Sequence, residues 1–167
     1  MAELTIVPMG ERHLGALAEL ERVCFSAPWT RDGLAAELQN PCAVFFVAEF
    51  GGGVAGYAGM NCVLDECYVD NVAVFPQYRR RGVARALMGS LTDVAERRGA
   101  SFVTLEVRAS NAGAIALYAG TGFREAGRRP GFYSGPNEDA LILTKTLKRT
   151  NDAARPGAVR KLEDDVP

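Results

Sequence analysis

Between positions 67 and 107 the hydrophobic pattern changes period twice, and this stretch restricts the fold more than any other. "CYVDNVAV" (residues 67–74) is rich in β-formers and is closed by Pro76, so it reads as a strand. Over residues 81–98 the apolar positions Val83, Ala84, Leu87, Met88, Leu91, Val94 and Ala95 step by three and four. That is the spacing of an amphipathic helix, and Gly99 ends it. "SFVTLEV" (residues 101–107) is β-prone again. A strand, a helix and a second strand in this order make a β-α-β crossover, which requires parallel strands.

The flanking segments add antiparallel pairing. Residues 43–49 and 54–60 flank "FGGG" as a hairpin, and residues 123–127 and 140–147 are strands around a polar loop. Residues 4–8 predict a short strand. Residues 12–24 predict a helix through Leu14, Leu17, Ala18 and Leu20, and Thr30 is placed to cap a second helix running to Leu38. Residues 111–119 predict a further helix, stopped by "GTGF". The order β-α-α-β-β-β-α-β-α-β-β mixes hairpins with a crossover, so the fold class is α/β with a mixed sheet. Residues 1–147 form one domain. Residues 148–167 lose apolar periodicity, gain mixed charge, and read as a polar, solvated tail.

Composition excludes several functions. The formal net charge of −1 provides no basic field for nucleic acid, so direct nucleic acid binding is not expected. No apolar run reaches the length of a membrane span, and no signal peptide is evident. Cys24, Cys42, Cys62 and Cys67 contain no Cys-x-x-Cys pair and His13 is the one histidine, so no metal site is expected. The cysteines read as free, mostly buried thiols of a cytoplasmic protein. His13 reads as part of a surface helix, which argues against histidine-based nucleophilic catalysis.

"RRRGVARAL" (residues 79–87) places three arginines at the start of a helix, where the dipole disfavours cations. Either they point into solvent, or an anion sits among them. First-turn amides of Arg81, Gly82, Val83 and Ala84 have no helical partner, and such a turn binds phosphate. The small residues Gly82 and Ala84 allow close approach. The stretch is neither a P-loop, since no Gly-Lys-Ser/Thr follows, nor a dinucleotide fingerprint, since one glycine of three is present.

Arg79-Arg80-Arg81-Gly82-Val83-Ala84 resembles the Q/R-x-x-G-x-G/A motif of the GNAT acyltransferase superfamily, with Ala84 in place of the commoner second glycine. "LDECYVDNVAVFPQYRRRGVARAL", "LEVRASNAGAIALY" and "GTGFREAGRRPGFY" followed by "EDALIL" are similar to the branch that acetylates the N-terminal alanine of ribosomal protein S18. The resemblance spans about residues 4–147. It implies a largely antiparallel sheet, splayed at the cofactor site and flanked by helices, and acetyl-coenzyme A as donor. It implies that Arg79, Arg80, Arg81, Gly82, Val83, Ala84 and Arg85 hold the pyrophosphate. Val72, Ala73 and Val74 would pair with the pantetheine arm, the Val74 N–H reaching the thioester oxygen.

The same resemblance makes Glu106 the general base and Tyr118 the proton donor to the departing thiolate. Read from residues alone, Glu106 is equally a structural carboxylate paired with Arg108, and Tyr118 a half-buried packing residue. If Glu106 acts as base, burial is expected to tune it. Asn111 is a helix cap, and by resemblance it also touches the cofactor. The acceptor would enter between "SAPWTRDG" and "GRRPGFYSGPNED", with Trp29 and Tyr133 as lining candidates; Trp29 equally fits a core plug. A peptide α-amine, with pKa about 8 against about 10.4 for lysine, is the easier group to deprotonate. The implied reaction is direct attack on acetyl-coenzyme A by a protein N-terminus, with no acyl-enzyme. Acetylation of other N-termini, lysines or small amines, and a non-catalytic coenzyme A sensor, are the alternatives.

Overall fold

The computed structural model of the chain describes residues 2–147. The expected polar tail at residues 148–167 lies outside the described residues. Seven strands form one sheet in the order β1-β2-β3-β4-β5-β7-β6. They are β1 (Leu4–Pro8), β2 (Ala43–Phe50), β3 (Gly53–Val63), β4 (Glu66–Val74), β5 (Phe102–Arg108), β6 (Arg124–Tyr133) and β7 (Glu138–Thr146). Among the described residues the α-helices are α1 (Leu14–Cys24), α2 (Arg31–Glu37), α3 (Val83–Arg97) and α4 (Ala112–Gly120). The β4–β5 pair is parallel, as the crossover through α3 requires, and every other pair is antiparallel.

Each face of the sheet buries its own core. Leu87, Met88 and Leu91 of α3 and Tyr118 of α4 pack on one face against Val103, Leu105 and Val107 of β5. Leu14, Leu17 and Leu20 of α1 and Leu34 of α2 pack on the other against Val47, Tyr57 and Ala73. The helices therefore flank the sheet, and α2 starts as expected, with Thr30 accepting from the Gly33 N–H at 3.0 Å. Phe45 lies flat over Gly59, where any Cβ would fall inside the ring.

Three sequence expectations are corrected. His13 is buried, not on the surface: its Nε2 bonds Glu49 at 2.8 Å, and its Nδ1 accepts from the Gly10 N–H at 2.9 Å. Cys62 and Cys67 form a disulfide rather than free thiols, because β3 runs on past Met60 to Val63 and the short turn at Leu64–Asp65 sets them opposite each other; Cys24 and Cys42 remain free. The polar loop expected after residue 127 is strand, since β6 continues to Tyr133 along the edge of the sheet.

One irregularity shapes the site. Gly59 pairs with Asn71 and Met60 with Val69, so Asp70 is an extra, bulged residue of β4. The bulge switches faces: Cys67 and Val69 pack with the α3 core, whereas Asn71 and Ala73 lie on the α1 side.

Candidate active site

The parallel pairing of β4 and β5 is short. Glu66, Cys67 and Tyr68 pair with Phe102, Val103 and Thr104, and beyond that point the two strands are not paired with each other. Val72, Ala73 and Val74 still pair with β3, and Leu105 to Arg108 still pair with β7, so the two strands part inside an otherwise continuous sheet. Backbone groups of β4 that face the parting have no strand partner there, which is the edge an extended chain can extend.

The turn after β4 carries the arginine run. The helix expected from about Arg81 begins at Val83, with Gly82 as its N-cap at φ 79° and no side-chain cap. Arg80 is also left-handed, at φ 63°. A left-handed glycine cap with no side-chain acceptor leaves the first-turn amides of Val83, Ala84 and Arg85 open. A Cβ on Gly82 would meet nothing within 4 Å, so the turn has room for a phosphate. The arginines are exposed but not idle. Arg79 Nε donates to the Val74 carbonyl at 3.1 Å, with Nη2 3.5 Å from the Cys24 sulfur, and Arg81 lies over the Phe50 ring at 5.7 Å. Asn111 caps α4 through Oδ1, which accepts from the Ala114 N–H at 3.1 Å.

Glu106 and Tyr118 lie on opposite faces of the sheet. Tyr118 belongs to the α3–α4 core, its ring 5.8 Å edge-on from Phe123. Burial, and then the nearby Tyr133, push its phenol up to about 12, so it stays protonated throughout the neutral range. Glu106 points to the other face, into a groove of about 530 Å³ lined by Tyr68, Asp70, Thr104, Arg129, Ile142 and others. The expected burial of Glu106 is not found: its side chain is 33% exposed. Nor does it pair with Arg108. Its partner is Arg129, at 3.2 Å.

Arg108 instead fixes the β6–β7 turn. It donates to the Pro136 and Ser134 carbonyls at 2.9 and 3.0 Å, approaches Glu138 at 3.4 Å, and lies 4.5 Å from the Tyr133 ring centre. Tyr133 is half-buried, and burial first, then the Glu106 charge, raise its phenol. A Cβ on Gly135 would lie 3.6 Å from Ser26 Oγ, so the two loops expected to admit the acceptor do face each other. Trp29 packs its ring 6.3 Å from Phe45 in the α1–α2 core, the plug arrangement, and its backbone N–H donates to buried Glu21. The site also holds two residues not singled out in the sequence, Asp70 and Arg129. Neither carries a motif: one is aimed by a bulge and the other lies on an edge strand mistaken for a loop.

The acetyltransferase (GNAT) family model matches residues 14–123. The chain belongs to the acetyltransferase (GNAT) family. It is 39% identical over 141 residues to the [ribosomal protein bS18]-alanine N-acetyltransferase of Escherichia coli K12, covering 83% of this chain and 95% of that protein. It is 36% identical over 134 residues to the N-alpha-acetyltransferase RimI of Mycobacterium tuberculosis, covering 77% and 83%. The crystal structure of the ribosomal-protein-S18-alanine N-acetyltransferase from E. coli superposes with a TM-score of 0.82 at 35% identity, over 92% of this chain and 100% of that one. The Arabidopsis thaliana NAA60 structure, at 21% identity and a TM-score of 0.80, shares the fold. The chain is an N-acetyltransferase with the GNAT architecture implied by its arginine–glycine motif, and enzymes of this family use acetyl-coenzyme A. Among the described residues there is no cluster of three or more metal-ligating side chains, and no helix is long and apolar enough to cross a membrane.

Proposed function

We propose that the protein acetylates the N-terminal alanine of ribosomal protein S18, by direct attack of the α-amine on acetyl-coenzyme A. The observation that carries this reading is the parting of β4 from β5, with Tyr118 on one face and Glu106 on the other. It gives donor and acceptor separate approaches to one point, and the similarity to two N-terminal acetyltransferases supports the choice of acceptor.

Acetyl-coenzyme A lies on the α3–α4 side. Its pyrophosphate takes the first-turn amides of α3, from Gly82 to Arg85, with Arg79, Arg80 and Arg81 adding charge. The pantetheine arm extends β4 along Val72, Ala73 and Val74, and Asn111 adds a contact from the α4 cap. The peptide enters from the other face, between the Ser26 and Gly135 loops and past Tyr133, with Trp29 supporting one wall. Glu106, released from Arg129, takes a proton from the acceptor amine directly or through water. The neutral amine attacks the thioester carbon, whose oxygen is stabilised by the Val74 N–H. As the tetrahedral intermediate collapses, the carbon–sulfur bond breaks and Tyr118 gives its proton to the thiolate.

Steady-state kinetics of Glu106→Gln and Tyr118→Phe with an S18-like peptide test the roles. Both are expected to lower kcat, Glu106→Gln by about 10²- to 10³-fold, with the KM for acetyl-coenzyme A little changed. A kcat within about threefold of wild type for either variant removes that residue from the mechanism.

A further inference from the structure

The acceptor groove carries a second carboxylate that the mechanism above leaves unused. Asp70 is the extra residue of the β4 bulge, and it lines the same groove as Glu106 and Arg129. Bulges beside active sites re-aim a side chain out of the strand's alternation. Asn61 Nδ2 donates to one Asp70 oxygen at 2.6 Å. Asn61 is itself held through Oδ1 by Asn40 Nδ2 at 2.9 Å, and that amide also reaches Glu37 at 3.2 Å. Neutral amides therefore fix where Asp70 points without cancelling its charge.

The charges in the groove do not balance. Arg129 neutralises Glu106 at 3.2 Å, whereas among the described residues no cation lies within ion-pair distance of Asp70. Removal from water raises the Asp70 carboxyl, the Asn61 bond lowers it, and the Glu37 and Glu106 charges raise it further. A carboxylate held under these conditions is relieved by a cation that enters the groove. A protein N-terminus is such a cation, because an α-amine with pKa about 8 is mostly protonated at neutral pH.

We propose that Asp70 holds the α-ammonium group of the incoming N-terminus and presents it to Glu106. Asp70 stays ionised, Glu106 accepts the proton, and the neutral amine goes on to the thioester carbon. Asp70 is thus an acceptor-binding residue and not the base. The inference rests on the reading of the groove as an N-terminal acceptor site.

The test compares wild type, Asp70→Asn and Asp70→Glu on an alanine-initiated peptide, with thermal unfolding as a check of the fold. Asparagine keeps the shape of Asp70 and can accept the same Asn61 bond. Binding of the peptide with its α-amine replaced by hydrogen is measured alongside by calorimetry, with coenzyme A present. In Asp70→Asn the KM for the amine peptide is expected to rise about tenfold, with kcat and the KM for acetyl-coenzyme A within about twofold. Asp70→Glu should recover part of the loss, and the des-amino peptide should bind wild type and Asp70→Asn equally. An unchanged peptide KM, or equal losses for the amine and des-amino peptides, overturns the role of Asp70 and leaves the acetyltransferase reading intact. No N-terminal acetylation by wild type overturns that reading, and this inference falls with it.

Discussion

Glu21 ties the acceptor side of the molecule together, and its removal should be costly. The residue is 1% exposed. Its carboxylate accepts from the Tyr57 phenol, from Asn71 Nδ2 at 2.8 Å and from the Trp29 backbone N–H at 3.2 Å. The three donors belong to β3, to β4 just past the bulge, and to the α1–α2 loop. Burial, and then Glu21 itself, raise the Tyr57 phenol, so Tyr57 serves as the donor. In Glu21→Ala, the Tyr57 hydroxyl and the Asn71 amide are left without their acceptor while both residues stay buried. Each orphaned donor costs about 1–3 kcal/mol, so the loss should be about 3–5 kcal/mol once the vacated space is included. That is a large share of the ~5–15 kcal/mol by which ordinary domains are stable. Tyr57→Phe should cost about 1–2 kcal/mol alone, but in a Glu21→Ala background it should recover about 1–3 kcal/mol, because it removes the orphaned hydroxyl. Urea unfolding followed by the fluorescence of Trp29, the one tryptophan, reads both. A Glu21→Ala loss below about 1 kcal/mol, or strict additivity of the two substitutions, would refute this account of the hub.

Three other outcomes are expected. Gly82→Ala puts a side chain at φ 79° where a Cβ meets nothing, so about 1 kcal/mol of stability should be lost to backbone strain, with a several-fold rise in the KM for acetyl-coenzyme A. Urea unfolding and donor kinetics check this; an unchanged donor KM counts against a phosphate at that turn. A phenol raised from about 10 to about 12 in the folded state contributes stability that is whole below pH 10 and lost as pH rises towards 12, about 2–3 kcal/mol for Tyr118. Unfolding measured across that window should show a shallower fall in Tyr118→Phe, and an identical slope would contradict it. Reduction of Cys62–Cys67, which are five positions apart, should lower stability by about 2 kcal/mol, read as a shift in the urea midpoint between oxidised protein and the Cys62→Ser, Cys67→Ser double variant. Coincident midpoints would deny the bridge a structural role.

What the sequence made legible followed from periodicity and from local turn chemistry. The step of three and four after Gly82 marked α3 to within two residues of its start, and Thr30 and Asn111 marked two helix caps by their side-chain acceptors. Most misreadings arose where the signal lay in tertiary packing. In "CYVDNVAV" the apolar phase moves from Cys67 and Val69 to Val72 and Val74 across the adjacent polar pair Asp70–Asn71; that shift marks the bulge, and reading the segment as one regular strand passed over it. The "RRPGFY" part of β6 is an edge with little burial, so it lacks the apolar alternation by which strands are recognised. Cys62 and Cys67 became partners only because β3 extends three residues beyond its apolar run. The burial expected for Glu106 assumed a closed site, whereas an open groove leaves the carboxylate beside Arg129.

The most direct test of the central claim is intact-mass and fragmentation analysis of peptides incubated with the protein and acetyl-coenzyme A. The set comprises an S18-like N-terminus, Ala-, Met-, Ser- and Gly-initiated peptides, and a peptide with a blocked N-terminus and an internal lysine. The account predicts one acetyl group on the α-amine of the S18-like peptide, and none on the blocked peptide. Acetylation of the internal lysine, with the S18-like N-terminus left unmodified, would contradict it.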